Sequence, residues 1–284
     1  MKYPGRLRRS HPSDALSAGL ATSGNMNPSG SMPQSRGPVN SSMSPFPHLK
    51  NRLLLALPRR ELHRLRGVLE HVQCNREDVL VDADSALEHV YFPNSGVISI
   101  VAVYPDGSII EMATIGREGA TGFQAVFGAT MSSARFLVQL PGTAARMSRV
   151  AFERALQQLP SFRGLMFAHV HAFLEQVLVS AACNGAHSVN QRLARWLLMM
   201  QDRYDEDTLP ITQDLLAEML GVHRPTVTNA VGVLHRAKLI QANRKRVAIL
   251  DRDGLIKASC ECYQVVRLRI AQHLPKTYSD QAHP

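Results

Sequence analysis

Arg224, Thr228 and Asn229 are residue types that read nucleic-acid bases: arginine pairs bidentately with guanine, asparagine with adenine, and a threonine methyl meets the thymine methyl. On a helix they stand about one turn apart, while Val227, Ala230, Val231 and Leu234 recur at i, i+3, i+4 and i+7 and bury the opposite face. Pro225 suits the first helical position, which leaves Arg224 at the cap. Just upstream, Ile211–Gly221 reads as a short helix with Leu215, Leu216, Met219 and Leu220 apolar and Gly221 free to turn left-handed. Downstream, Leu239–Ile249 reads as a hairpin with Asn243, Arg244, Lys245 and Arg246 at its tip, where basic side chains reach phosphate. Helix, turn, helix and wing in this order describe a winged helix-turn-helix whose second helix enters the major groove of double-stranded DNA. Arg224, Pro225, Thr228 and Asn229 are the expected base-reading set; Gln213, Thr226, Arg244, Lys245 and Arg246 are the expected phosphate contacts.

Other reactive residues are less organised. Cys260 and Cys262 stand about 200° apart on a helix, so they chelate together only if that segment is irregular; His169 and His171 share the defect. Cys74 and Cys183 stay open to a redox role that no neighbouring pattern supports. Four cysteines without a secretory signal point to a reducing compartment. A β-roll metalloenzyme needs clustered His and Glu inside its strands, yet His89 is the one histidine between Val79 and Met147. No metal, cofactor or enzymatic activity is expected.

The elements that must position the reading helix follow from the hydrophobic period. Residues 1–45, rich in Ser, Gly, Pro and Met, read as a disordered tail. From Leu53 to Leu69 the period is helical. It then shortens to strands at Val79–Val81, Glu88–Phe92, Val97–Val103, Ile109–Thr114, Arg135–Leu140 and Thr143–Met147, separated by Pro- and Gly-bearing turns, which is the pattern of an antiparallel β-roll or jelly roll over 46–160. Residues 161–185 form one long helix, with Met166, Val170, Phe173 and Val177 as the expected dimer seam. Asn184-Gly185 ends it, and a Ser188/Gln191 capping box starts the DNA-binding domain, 186–265. Residues 266–284 are expected as a tail. The fold class is α+β.

The formal charge is +9, unevenly spread: 186–284 hold 14 Lys/Arg against 10 Asp/Glu, whereas 46–185 hold 13 against 12. A polyanion therefore belongs to the C-terminal part. No uninterrupted apolar run approaches the ~18 residues of a membrane span, so a soluble, cytoplasmic chain is expected.

Residues 46–265 resemble the Crp/Fnr family of bacterial regulators. The likeness rests on the order β-roll, long helix, winged helix and on the segments Val90–Val97, Gly116-Arg-Glu-Gly119 and Gly221–Val227. It implies a homodimer that senses an effector in its cyclic-nucleotide-binding-like roll, reads a palindromic operator and contacts RNA polymerase. It also aligns the family's base-reading positions with Arg224, Pro225, Thr228 and Asn229. Pro225 replaces a commonly acidic residue there, and Asn229 a common arginine. In the resembled nucleotide cassette a Glu after a Gly holds ribose, and an Arg followed by a small polar residue holds phosphate. This chain has Gly122-Phe123-Gln124 and Ser132-Ser133, with Arg135 two positions away on a strand. Those six residues are the candidate effector pocket, for an effector other than cyclic AMP. The alternative is a roll that serves only as scaffold for an effector-independent dimer. The family's oxygen sensors hold an iron–sulfur cluster on N-terminal cysteines, but residues 1–73 contain none.

Overall fold

A computed structural model describes residues 48–274, so the expected N-terminal tail lies outside the described residues. The chain enters through α1 (Arg52–Leu55) and α2 (Arg59–Leu65). Buried Asn51 caps α1 by accepting from the Leu54 amide, while its own amide donates to the Pro93 and Gly119 carbonyls, each at 2.9 Å. One side chain thus ties the entry helix to two turns of the roll.

The roll is β1 (Glu70–Cys74), β2 (Val79–Val81), β3 (His89–Pro93), β4 (Val97–Val103), β5 (Ile109–Ile115), β6 (Arg135–Leu140) and β7 (Gly142–Ser148). Two antiparallel sheets form, in the orders β1-β7-β3 and β2-β6-β4-β5. Six strands fall within about a residue of the expected places. Strand β1 was not expected: Glu-His-Val-Gln-Cys has no alternation to announce it, because it is an edge strand paired to β7 with only Cys74 buried. Cys74, Tyr91, Val138 and Ala144 join the two sheets, while Val81, Leu87, Ile98, Ile100, Ile115 and Phe136 form a second close-packed cluster on the four-stranded sheet.

Ser148 caps α3 (Arg149–Gln158), and α4 (Pro160–Ala186) follows. Helix α4 runs through Asn184-Gly185 to Ala186, one residue past the expected end, and His187 caps it. The Ser188/Gln191 capping box then opens α5 (Val189–Gln201). Next come β8 (Thr208–Leu209), α6 (Gln213–Leu220), α7 (Arg224–Arg236), β9 (Ile240–Ala242), β10 (Val247–Ile249), α8 (Arg252–Ala258) and α9 (Cys262–His273).

The C-terminal expectation needs one correction, and a condition it set is met. Residues 266–273 continue α9 instead of starting a tail. That helix buries Tyr263, Val266 and Ile270 and is tied down where the Tyr263 hydroxyl donates to buried Asp202, 3.0 Å away. Cys260 and Cys262 do not share a helix either: α8 ends at Ala258 and α9 begins at Cys262, so the segment between them is irregular.

Two of the four expected seam residues on α4 pack within the chain itself. Met166 is 1% exposed in the chain's own core, and the Phe173 ring lies 4.3 Å from that of Phe123. The face left open carries Gly164, Phe167, His171, Leu174, Leu178, Ala181 and Gly185. Their spacing alternates three and four, the period of a coiled-coil seam. Val170 and Val177 flank it, half-buried.

Candidate nucleic-acid interface

Helix α6 is capped by Thr212, which accepts from the Leu215 amide, and ends at Gly221 with φ of +61°, a left-handed turn that favours glycine. Helix α7 starts one residue earlier than expected: His223 is its cap and Arg224 is already helical, which puts Pro225 second. The proline still lacks only an amide that has no intrahelical partner in the first turn. Val227, Ala230, Val231 and Leu234 are buried against Leu216, Met219 and Leu220, as their period requires.

That packing leaves Arg224, Pro225, Thr226, Thr228 and Asn229 exposed on one end of α7. The Thr228 hydroxyl donates to Gln213 Oε1 at 2.8 Å, which links an expected base reader to an expected phosphate contact. Arg224 Nε stands 3.0 Å from Asp214 in an ion pair that is well exposed on both sides, weak enough for a base edge to displace. Beyond α7, β9 and β10 form the wing. Asn243 Oδ1 accepts from the Lys245 and Arg246 amides at 3.0 and 2.9 Å, pinning a turn that points Arg244, Lys245 and Arg246 into solvent. The wing is anchored by β8, in the order β8-β10-β9.

The candidate effector residues meet differently from what nucleotide binding requires. Phe123 packs into the roll between Phe136 and Phe173. The Ser132 hydroxyl, buried, donates to the Ala134 carbonyl at 2.7 Å, and the Gln124 amide reaches only back to Ser132. Gly122 turns left-handed ahead of Phe123, and Ser133 is exposed. Arg135 is held by both carboxylate oxygens of Asp82, at 2.8 and 3.2 Å, which neutralises the cation that a phosphate would want.

Sequence reasoning missed the polar contacts that join roll to reading head. Half-buried Glu111 of β5 accepts from the Trp196 indole of α5 at 2.8 Å and from Ser99 at 2.6 Å. Just beyond β5, Glu118 receives Arg203 Nε at 2.7 Å, and Arg203 also donates to the Met199 carbonyl and to Gln176 of α4. Arg117 reaches Asp205 beside them. The Gly116-Arg-Glu-Gly119 segment is therefore the joint between the two parts. Gly116 is required there because a Cβ would fall 2.7 Å from Arg203 Cγ. A Glu inside a largely apolar strand, Ile109–Ile115, was the available signal.

Burial pushes the Glu111 carboxyl up to about 7, against the two hydrogen bonds that oppose it. Its folded value exceeds its unfolded one, so the protonated form favours folding and stability falls as pH rises from about 4.5 through about 7. We expect wild type to lose roughly 1–3 kcal/mol over that window, and Glu111→Gln to flatten it. Urea midpoints at pH 5 and 8 check this; equal slopes in both proteins would refute it.

Residues 71–159 match the model of the cyclic nucleotide-binding domain, and residues 191–258 that of the Crp-like helix-turn-helix domain. Together the matches span more than half of the chain. The global nitrogen regulator of Synechococcus elongatus is 23% identical over 202 residues, covering 68% of this chain and 90% of its own. FixK2 from Bradyrhizobium japonicum superposes with a TM-score of 0.59 at 16% identity, over 68% of this chain and 98% of its own. A CRP/FNR-family transcriptional regulator of Thermus thermophilus gives 0.56 at 20% identity, over 67% and 98%. At such identities the structures establish a shared fold.

Proposed function

This chain belongs to the Crp/Fnr family of DNA-binding transcription regulators, and we propose that it acts as a homodimer that reads a palindromic operator through α7. The observation that carries the reading is the cluster of exposed Arg224, Thr228 and Asn229 at the start of α7, beside the basic wing tip. Arg224, Pro225, Thr228 and Asn229 would face base edges, and Gln213, Thr226, Arg244, Lys245 and Arg246 the flanking phosphates. Two such heads related by a two-fold axis require half-sites about one helical turn, roughly 34 Å, apart. The two-fold would run along the open face of α4. That helix is long and apolar enough by composition to cross a membrane, a property expected equally of a helix with one face on its own core and another on a second copy. The reading places the protein in the cytoplasm, with RNA polymerase as a further partner and binding in place of catalysis as its mode of action.

Phe123 and the Asp82–Arg135 pair favour a roll that works as scaffold over one that senses cyclic AMP. An effector of other chemistry would have to bind without the family's phosphate clamp.

Binding to specific and random duplexes across a salt series tests the DNA interface. Arg224→Ala or Asn229→Ala is expected to cost about 1–3 kcal/mol on the preferred site, relaxing one position per half-site and sparing random DNA. Lys245→Ala should weaken both duplexes alike and reduce the salt slope by about one for each phosphate left unneutralised. Equal losses on both duplexes for the α7 variants would show that the reading helix is misassigned.

A further inference from the structure

At the end of α4, Cys183 and His187 stand one turn apart, and the irregular α8–α9 junction brings Cys260 and Cys262 against them. All four ligand atoms lie within 4.8 Å of one another. Cys183 and Cys260 sulfurs are 3.5 Å apart, and Cys262 Sγ is 3.6 Å from His187 Nδ1. A tetrahedral zinc ion with Zn–S near 2.3 Å and Zn–N near 2.0–2.1 Å sets its ligands about 3.8 Å (S to S) and about 3.6 Å (S to N) apart. The three cysteines are at most 8% exposed, and His187 is half-buried. We propose that Cys183, His187, Cys260 and Cys262 form a Cys₃His site for a soft divalent cation, zinc.

The surroundings support ligation over mere packing of thiols. His187 Nε2 lies 3.1 Å from the Glu261 carboxylate, an outer partner that puts the proton on Nε2 and turns the Nδ1 lone pair toward the sulfurs. On the other side stand Arg192 and Arg195 of α5, close enough to act on the thiols electrostatically. Each has a buried Nε without a hydrogen-bond partner. Three thiols that release their protons to water as zinc binds leave the site with one net negative charge, which these guanidinium groups offset. The ligands come in two pairs, Cys-x₃-His at the α4–α5 break and Cys-x-Cys at the α8–α9 break. An ion there ties the end of the long helix to the DNA-binding head.

The full chain, purified with reductant, stripped by chelator and reloaded with zinc, is expected to retain one zinc per chain after gel filtration. Reloading with cobalt should give the visible bands of tetrahedral thiolate coordination. Cys262→Ser and Cys260→Ser should lose both signals, whereas Cys74→Ser, in the roll, should keep them. Glu261→Gln changes an exposed side chain that no core depends on, and should weaken zinc about 10- to 100-fold. His187→Cys should preserve stoichiometry and shift the cobalt spectrum, which separates loss of a ligand from loss of fold. The proposal is overturned if the reduced wild type takes up no zinc, if Cys262→Ser binds as wild type does, if Glu261→Gln leaves the affinity unchanged, or if the protein carries iron and labile sulfide instead.

Discussion

Replacing Arg203 with alanine is expected to destabilise the chain by about 3–5 kcal/mol, the usual cost of stranding one partner of a buried ion pair. The side chain is 1% exposed and that of Glu118 9%, so neither charge has water to fall back on. Arg203 also spends hydrogen bonds on the Met199 carbonyl and Gln176, which itself donates to the Thr114 carbonyl at 3.0 Å. Removing it leaves acceptors from the roll, α4 and α5 without their donor. Burial alone would raise the Glu118 carboxyl, but the Arg203 guanidinium and the Gly116 amide hold it below its ordinary value. The ionised carboxylate therefore adds stability above the unfolded pKa, about 4.5, and that stability is lost as pH falls through the lowered folded value. In Arg203→Ala burial is opposed by backbone amides but no longer by the guanidinium, so the deficit should be largest near neutrality and shrink as acid protonates Glu118. Arg203→Lys should not rescue, since an ammonium lacks the planar fork that serves three acceptors. Arg203→Met with Glu118→Leu should recover much of the loss, because two apolar side chains leave no charge stranded. Urea unfolding at pH 4.5 and 7 reads all four proteins. A deficit below about 1 kcal/mol at pH 7, or one that grows in acid, would contradict the role given to this pair.

What could be read from the sequence divides along a physical line. The α6–α7 turn was legible because local rules decide it: a left-handed glycine, a proline in the first turn and a four-residue apolar period. Even so, the cap moved from Arg224 to His223, since terminal geometry depends on backbone angles that residue type biases weakly. The roll strands were legible where both sheet faces constrain them, and β1 was not, because an edge strand with one buried side chain carries almost no period. Glu118, Arg203 and the thiol cluster were invisible for another reason. They join residues 77 to 85 positions apart, and no local pattern announces which distant partner will cancel a buried charge or complete a ligand set. The α4 faces were ambiguous in register. Two interleaved apolar rows run along that helix, and the sequence does not say which one the roll takes. Packing on the roll claims Met166 and Phe173, leaving Phe167, Leu174 and Leu178 outside.

Those two rows give opposite expectations, and that makes the dimer testable. Phe167, Leu174 and Leu178 are 48%, 51% and 55% exposed and lie on one stripe, an apolar surface that a monomer would present to water. Burying the exposed half of each leucine against its symmetry mate is worth about 0.8–1.5 kcal/mol per side chain. Leu174→Glu with Leu178→Glu forfeits that burial and sets like charges across the axis. The expected result is a folded monomer by light scattering, with helix content and thermal midpoint near those of wild type measured at low concentration. Its affinity for a palindromic operator should fall roughly 10²- to 10³-fold, because discrimination of about 10³–10⁷ over random DNA is assembled from two half-sites and a monomer holds one. Binding to random DNA should change far less. Met166→Ala should behave in the reverse way, costing about 2–5 kcal/mol of stability through the cavity it leaves while the folded protein remains dimeric. A double-glutamate variant that stays dimeric, or a Met166→Ala protein that is folded but monomeric, would return the interface to the inner row and overturn this assignment.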